Sequence, residues 1–149
     1  MLRLTGVEMV LEEANAYAST ATVFLKDDRL PDLDIWRREF APIANASYTL
    51  RGIEMTLSGT VEQTDGMLWL AGSASRPSVR LAPLEANNKV QWDFATQSTW
   101  PLEPVEETAY VRLKQTLQDA VPPDPVTVTG TLLKNQDGFV LEVRTFAVR

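Results

Sequence analysis

"WPLEPVEETAYVRLKQTLQDAVPPDP", Trp100 to Pro125, is the stretch on which the fold turns. Pro104 stands where a helix can begin, because a first-turn residue has no intrahelical use for the N–H that proline lacks. Glu103, Glu106 and Glu107 place negative charge beside the positive end of the helix dipole. Val105, Ala109, Leu113 and Leu117 recur every four residues and line one stripe. Pro122-Pro123 then ends the run, since proline cannot donate the ladder hydrogen bond and forces its predecessor out of helical geometry. The spacing predicts an amphipathic helix from Pro104 to Ala120.

Toward the N-terminus, "YTLRGIEMTLSGTVEQTDG" alternates Ile53, Met55, Leu57 and Val61 with polar residues, the period of a half-buried strand. Asp65-Gly66 predicts a tight turn, because glycine reaches positive φ without steric cost. "MLWLAG" and, past a Ser and Pro interruption, "SVRLAPL" predict a second strand or a broken pair. Asn87-Asn88 reads as a turn, and "KVQWDFA" predicts a third strand with Val90, Trp92 and Phe94 on one face. Toward the C-terminus, Val126 to Leu133, a turn at Asn135 to Gly138, and Phe139 to Val148 predict a closing hairpin. The predicted order is three strands, one helix, two strands.

That order, with the paired hairpins "GTVEQTDGMLWL" and "GTLLKNQDGFVLEV", resembles an OB-fold. The resemblance covers residues 49–149 and implies a five-stranded barrel with its helix between strands 3 and 4. In residues 1–48, "LRLTGVEM" and "STATVFLKDD" predict strands, and "VLEEANAYA" between them predicts a short helix in preference to a hairpin. "LPDLDIWRREFAPIANA" predicts a helix capped by Asp32, with Leu33, Trp36, Phe40 and Ile43 on one stripe. "LTGVEM", "ATVFLKDD" and "DLDIWRREFAPIANASYTL" resemble, in order, parts of heavy-metal-associated domains of ferredoxin-like fold. That family holds metal with two cysteines just after its first strand, where this chain reads Glu8 to Glu13, so the resemblance implies a fold without the metal site. The expected chain is α+β: an N-terminal strand-helix-strand segment of ferredoxin-like character followed by an OB-like barrel.

Composition narrows the function. The 149 residues include no cysteine and no histidine, which removes disulfides, thiolate nucleophiles, imidazole bases and Cys- or His-ligated metals. Met1 to Thr49 carries 5 basic and 8 acidic residues and Leu50 to Arg149 carries 9 and 12, so each part is net -3 and no basic domain is masked. A net charge of -6 disfavours nucleic acid, whose binding is driven by clustered Lys and Arg. No window approaches the roughly 18 apolar residues of a membrane span. The N-terminus "MLRLTGVEMVLEE" also lacks the basic start and long apolar run of a signal peptide.

Candidate chemistry is sparse. No serine has an activating partner motif, and Glu54, Glu62, Asp93 and Glu142 fall on predicted strands whose alternation puts them on the solvated outer face. Asp27, Asp28, Asp32 and Asp34 gather without the glycine and terminal glutamate of an EF-hand loop, and Met9, Met55 and Met67 read as packing residues. No catalytic residue, cofactor or metal ligand is expected. The expectation is a non-catalytic binding or adaptor module that recognises a protein segment or small ligand. Its loops Gly72 to Ser78 and Thr96 to Pro104 form the working surface, with Arg76, Arg80, Trp92 and Trp100 as ligand contacts. Trp100 either seals the barrel bottom or faces a partner. The first alternative is single-stranded nucleic-acid binding, with Trp69, Trp92, Phe94, Trp100 and Phe139 as stackers and Arg76, Arg80, Arg112, Lys114, Lys134 and Arg144 on phosphates. The second is an accessory role in metal handling with no cysteine site of its own.

Overall fold

The computed structural model describes residues 5–13, 20–25, 29–44, 50–119 and 125–148. The chain is α+β and divides into two compact units: residues 1–51 with Phe94–Thr96, and Gly52–Asp93 with Gln97–Arg149. Among the described residues no helix is long and apolar enough to cross a membrane.

In the first unit, strands β1 (Val7–Glu13) and β2 (Thr20–Leu25) form an antiparallel pair, followed by helix α1 (Leu33–Ala44). Asp32 caps α1: its Oδ1 accepts the backbone N–H groups of Asp34 and Ile35, each at 3.0 Å. Leu33 and Trp36 are buried, and the Trp36 indole donates to the Thr5 carbonyl at 2.9 Å. Among the described residues the order is strand, strand, helix. Val10–Glu13, expected to open a short helix, continue β1, because the β-branched run "TATVF" of β2 supplies a ladder partner from Val7 to Glu13. The rest of that expected helix, residues 14–18, lies outside the described residues, as does the acidic stretch 26–28.

The second unit contains strands β3 (Glu54–Gly59), β4 (Val61–Thr64), β5 (Met67–Leu70) and β6 (Val79–Pro83), then a 3-10 turn at Ala86–Asn88. A two-rung ribbon follows, β7 (Trp92–Asp93) with β8 (Ser98–Thr99), then helices α2 (Pro104–Glu107) and α3 (Ala109–Asp119), and the long strands β9 (Val126–Asn135) and β10 (Gly138–Val148). Six strands make one mixed sheet in the order β3-β9-β10-β6-β5-β4, in which only β10 and β6 run parallel. β3 and β4 stand at opposite ends of that order, yet only Thr60 separates them in the chain.

The predicted helix is present but parted at Thr108, whose hydroxyl donates back to the Pro104 carbonyl at 3.1 Å. The predicted "KVQWDFA" strand is absent from the sheet; only Trp92 and Asp93 join a ladder, and the third sheet position after β5 is taken by Val79–Pro83. Val79 and Leu81 are the reason: both are buried, and β6 lies between β5 and β10, where a strand must be apolar. The core is one face of this sheet, with Leu68, Leu70, Leu81, Leu132 and Leu141 almost wholly buried beside Val79, Val126, Val128 and Val143. Ala109 and Leu113 of α3 are buried as well. Each such leucine contributes about 2 kcal/mol of transfer free energy. The Asp65-Gly66 turn has φ of 52° and 77°, the type I′ geometry that matches strand twist.

Candidate functional site

Between β6 and α2 the chain runs for twenty residues, Leu84 to Glu103, with little apolar anchorage of its own. Polar side chains fasten it. Glu142 on β10 accepts the backbone N–H of Glu85 at 3.0 Å and, through both oxygens, the side-chain amide of Asn88 at 3.1 Å. Thr131 on β9 donates to the Asn88 carbonyl at 2.8 Å. Lys89, only 6% exposed, donates to Glu106 at 2.6 Å and to the Pro101 carbonyl at 3.1 Å. Glu106 also accepts the Glu103 N–H, closing a capping box with Glu103 at the start of α2.

A second ion pair adjoins the first. Arg144 grips Glu54 through two nitrogens, at 2.7 and 2.8 Å, and reaches Glu106 at 3.5 Å; Gln91 donates to the same Glu54 carboxylate at 3.1 Å. Arg144 can do this because it is the unpaired residue of a bulge, where the β10 register jumps from Val143 to Thr145. Burial alone would raise both glutamates. For Glu54 the bonds from Arg144 and Gln91 outweigh burial, and for Glu106 those from Glu103 N–H, Lys89 and Arg144 do, so both stay below the ordinary carboxylate range. The Glu54 hydrogen bonds lift Arg144 above its usual value.

This arrangement corrects the expectation of solvated outer-face acids: Glu62 is exposed, but Glu142 is 6% exposed and Glu54 is half-buried beneath the segment they hold. Nothing local in the sequence foretells it, since Arg144 and Glu54 lie 90 residues apart. Only the Glu103 to Glu106 spacing around Pro104 signals that Glu106 is a cap.

The pinned segment presents an aromatic outward. Trp100 is 50% exposed although its N–H is tied to the Gln91 carbonyl at 2.9 Å and the next carbonyl, that of Pro101, to Lys89. Pro101 and Pro104 are exposed and Val105 is 48% exposed, so Trp100, Pro101, Pro104 and Val105 present apolar groups outward around the exposed Glu103, on a backbone hydrogen-bonded at Trp100 and Pro101. Trp92 is half-buried on the adjoining ribbon, where it pairs with Thr99.

Arg76 and Arg80 do not join this surface. The Arg76 guanidinium turns back onto the Ser58 and Ala71 carbonyls at 3.4 and 3.2 Å, joining the end of β3 to the residue after β5. Its loop is closed on itself by Ser73 N–H to Arg76 carbonyl at 2.8 Å and Gly72 N–H to the Ser78 hydroxyl at 3.2 Å. Arg76→Ala should therefore lower stability by about 2 kcal/mol, with lysine, whose ammonium can donate to the same carbonyls from a differently shaped side chain, in between; urea denaturation measures both. Unchanged midpoints would free Arg76 for ligand contact.

Arg80 lies beside Trp69 on the outer face of β6 and β5 and rests against the Met67 sulfur at 3.8 Å. Met67 is 38% exposed there, not packed inside as expected. A shallow, open depression of about 270 Å³ on that face is lined by Glu62, Thr64, Asp65, Met67, Trp69 and Ser78. Of the other candidate phosphate contacts, Arg112 covers the Phe146 ring, Lys134 covers Phe139, and Lys114 donates to the Gly66 carbonyl. Among the described residues no group of three or more carboxylates is arranged to hold a metal ion. No family model, characterised protein or solved structure matches the chain.

Proposed function

We propose that the second unit is an OB-like barrel acting as a non-catalytic binding module, with the Trp100 to Val105 run as its working surface. The barrel reading is supported by the strand order. If β3 and β4 are one strand bent at Thr60, the order becomes first-fourth-fifth-third-second-first, with the third and fifth parallel and the helix between third and fourth. Such a bend would bring the two ends of the sheet together as five strands, and the Arg76 bonds to the Ser58 and Ala71 carbonyls support it, because they link the end of β3 to the residue after β5. The absence of histidine and cysteine supports a contact role, because the chain offers no imidazole base and no thiolate nucleophile.

The observation that carries the functional reading is the half-exposed Trp100 on a backbone fixed from both sides. An exposed indole on a hydrogen-bonded backbone gives large contact area with less backbone entropy to lose, the property of interface anchors. Nucleic acid fits the molecule less well. Glu62 lies directly across from Trp69 in the ladder, and Asp65 sits in the next turn, so phosphates approaching that face meet negative charge.

The test separates an anchor from a structural plug. Trp100→Ala should cost less than about 1 kcal/mol in chemical denaturation, because a surface residue is being truncated. A loss near the roughly 3–5 kcal/mol of a buried tryptophan would make Trp100 a seal and remove this reading. Steeply salt-dependent binding of single-stranded DNA or RNA, abolished by Arg80→Ala, would transfer the function to the β5–β6 face.

A further inference from the structure

We infer that the Trp100 surface docks a basic protein segment, one in which an apolar side chain is flanked by lysine or arginine. The inference rests on the functional reading above and adds the chemistry of the partner. From Leu84 to Val111 the sequence contains one basic residue, Lys89, against five acids, Glu85, Asp93, Glu103, Glu106 and Glu107. Glu106 is buried and paired with Lys89 and Arg144, so the exposed acids next to the apolar run are Glu103 and Glu107. Lys89 is buried against Glu106 and shows no charge to a partner.

Around the apolar run, Glu103 and Glu107 are exposed. Pro104 and Glu107, three apart on the first helical turn, share a face, so a carboxylate borders the exposed proline ring. Glu103 is held in place by the capping box, its side chain accepting the Glu106 N–H. Exposed carboxylates at Glu103 and Glu107, close in sequence to the exposed Trp100, favour a ligand that brings an apolar group for Pro104 and Val105 and cations for the acids. The indole face itself also attracts a cation. A second copy of this chain is the wrong occupant, because each copy carries -6 and the same acidic rim. Phosphate-rich partners are repelled for the same reason.

The experiment is selection of a random peptide library displayed on phage against the whole immobilised chain. Recovered peptides are then titrated by fluorescence anisotropy against wild type, Trp100→Ala and Glu103→Gln/Glu107→Gln. The expected peptides carry Lys or Arg next to Trp, Phe or Leu. They should bind about tenfold or more weakly to Trp100→Ala. The double Gln variant should bind severalfold more weakly, and the difference from wild type should shrink as salt screens the rim. Circular dichroism of each variant guards against misfolding, and Trp100→Phe, which keeps an aromatic, should restore most of the affinity.

The failures are distinguishable. Peptides that depend on Trp100 but show no basic bias and no response to Glu103→Gln/Glu107→Gln overturn the inferred partner chemistry and leave the surface standing. Peptides that bind Trp100→Ala as well as wild type, or a library from which nothing is enriched, overturn the surface itself.

Discussion

Gly130→Ala should lower the stability of the chain by about 3 kcal/mol or more, roughly 10 °C in Tm. A β-carbon at this position would stand 1.9 Å from the Glu142 carbonyl oxygen and 2.7 Å from its carbon, and both are backbone atoms of the neighbouring central strand. No rotamer change relieves such a contact; β10 itself must move. Movement there is costly because Gly130 pairs with Val143, immediately before the bulge that aims Arg144 at Glu54. The substitution therefore strikes the fold and the polar fastening of the Leu84 to Glu103 segment together. Thermal denaturation should show the fall in Tm, and hydrogen exchange should show lost protection in β9, β10 and residues 84–103 together. Thr129→Ala, one residue away on the exposed outer face where Thr129 and Thr56 share a hydrogen bond, should cost well under half as much. Equal effects from the two substitutions would mean that the close approach at Gly130 is relieved without strain.

The parts of the fold that were legible in the sequence are those set by neighbours. Pro104, the first-turn acids and Pro122-Pro123 bracket a helix by local chemistry, and the helix appears at Pro104–Asp119 with one break. Asp65-Gly66 and Asp137-Gly138 mark the two hairpin turns because positive φ is needed within two residues of the strands they join. The misreadings fall where distant residues decide. Val90, Trp92 and Phe94 alternate as well as any strand, but the residues leading into them are held by groups remote in sequence: Glu142 and Thr131 bond the Glu85 and Asn88 backbone, and Glu106 and Glu54 bond the Lys89 and Gln91 side chains. Strand acids look solvated until a segment is known to lie over them. The exposure of Trp100 is not a local property either, since its neighbour Pro101 is bonded through its carbonyl to Lys89, which pairs with Glu106.

The largest effect within that fastening belongs to Lys89 and Glu106. Glu106→Gln should destabilise the chain by about 3 kcal/mol, because Gln can still accept the Glu103 N–H but leaves the Lys89 ammonium buried without a counter-charge. Lys89→Met should cost less, as Arg144 remains near the Glu106 carboxylate at 3.5 Å. The double variant Lys89→Met/Glu106→Gln should recover much of the Glu106→Gln loss, since neither buried charge is then stranded.

The pH dependence has a definite sign. Glu106 and Glu54 sit below 4.5 in the folded chain, so they bind protons more readily when unfolded. Their stabilisation is fully present above pH 4.5 and is lost as pH falls through their lower folded values. The gap between wild type and Glu106→Gln should therefore be constant from neutral pH to about pH 5 and close in more acidic solution. Urea denaturation across that range measures it. A gap that persists undiminished at low pH would show that Glu106 acts through packing, and the hydrogen-bonded backbone at Trp100 and Pro101 would then need another support than its buried charge.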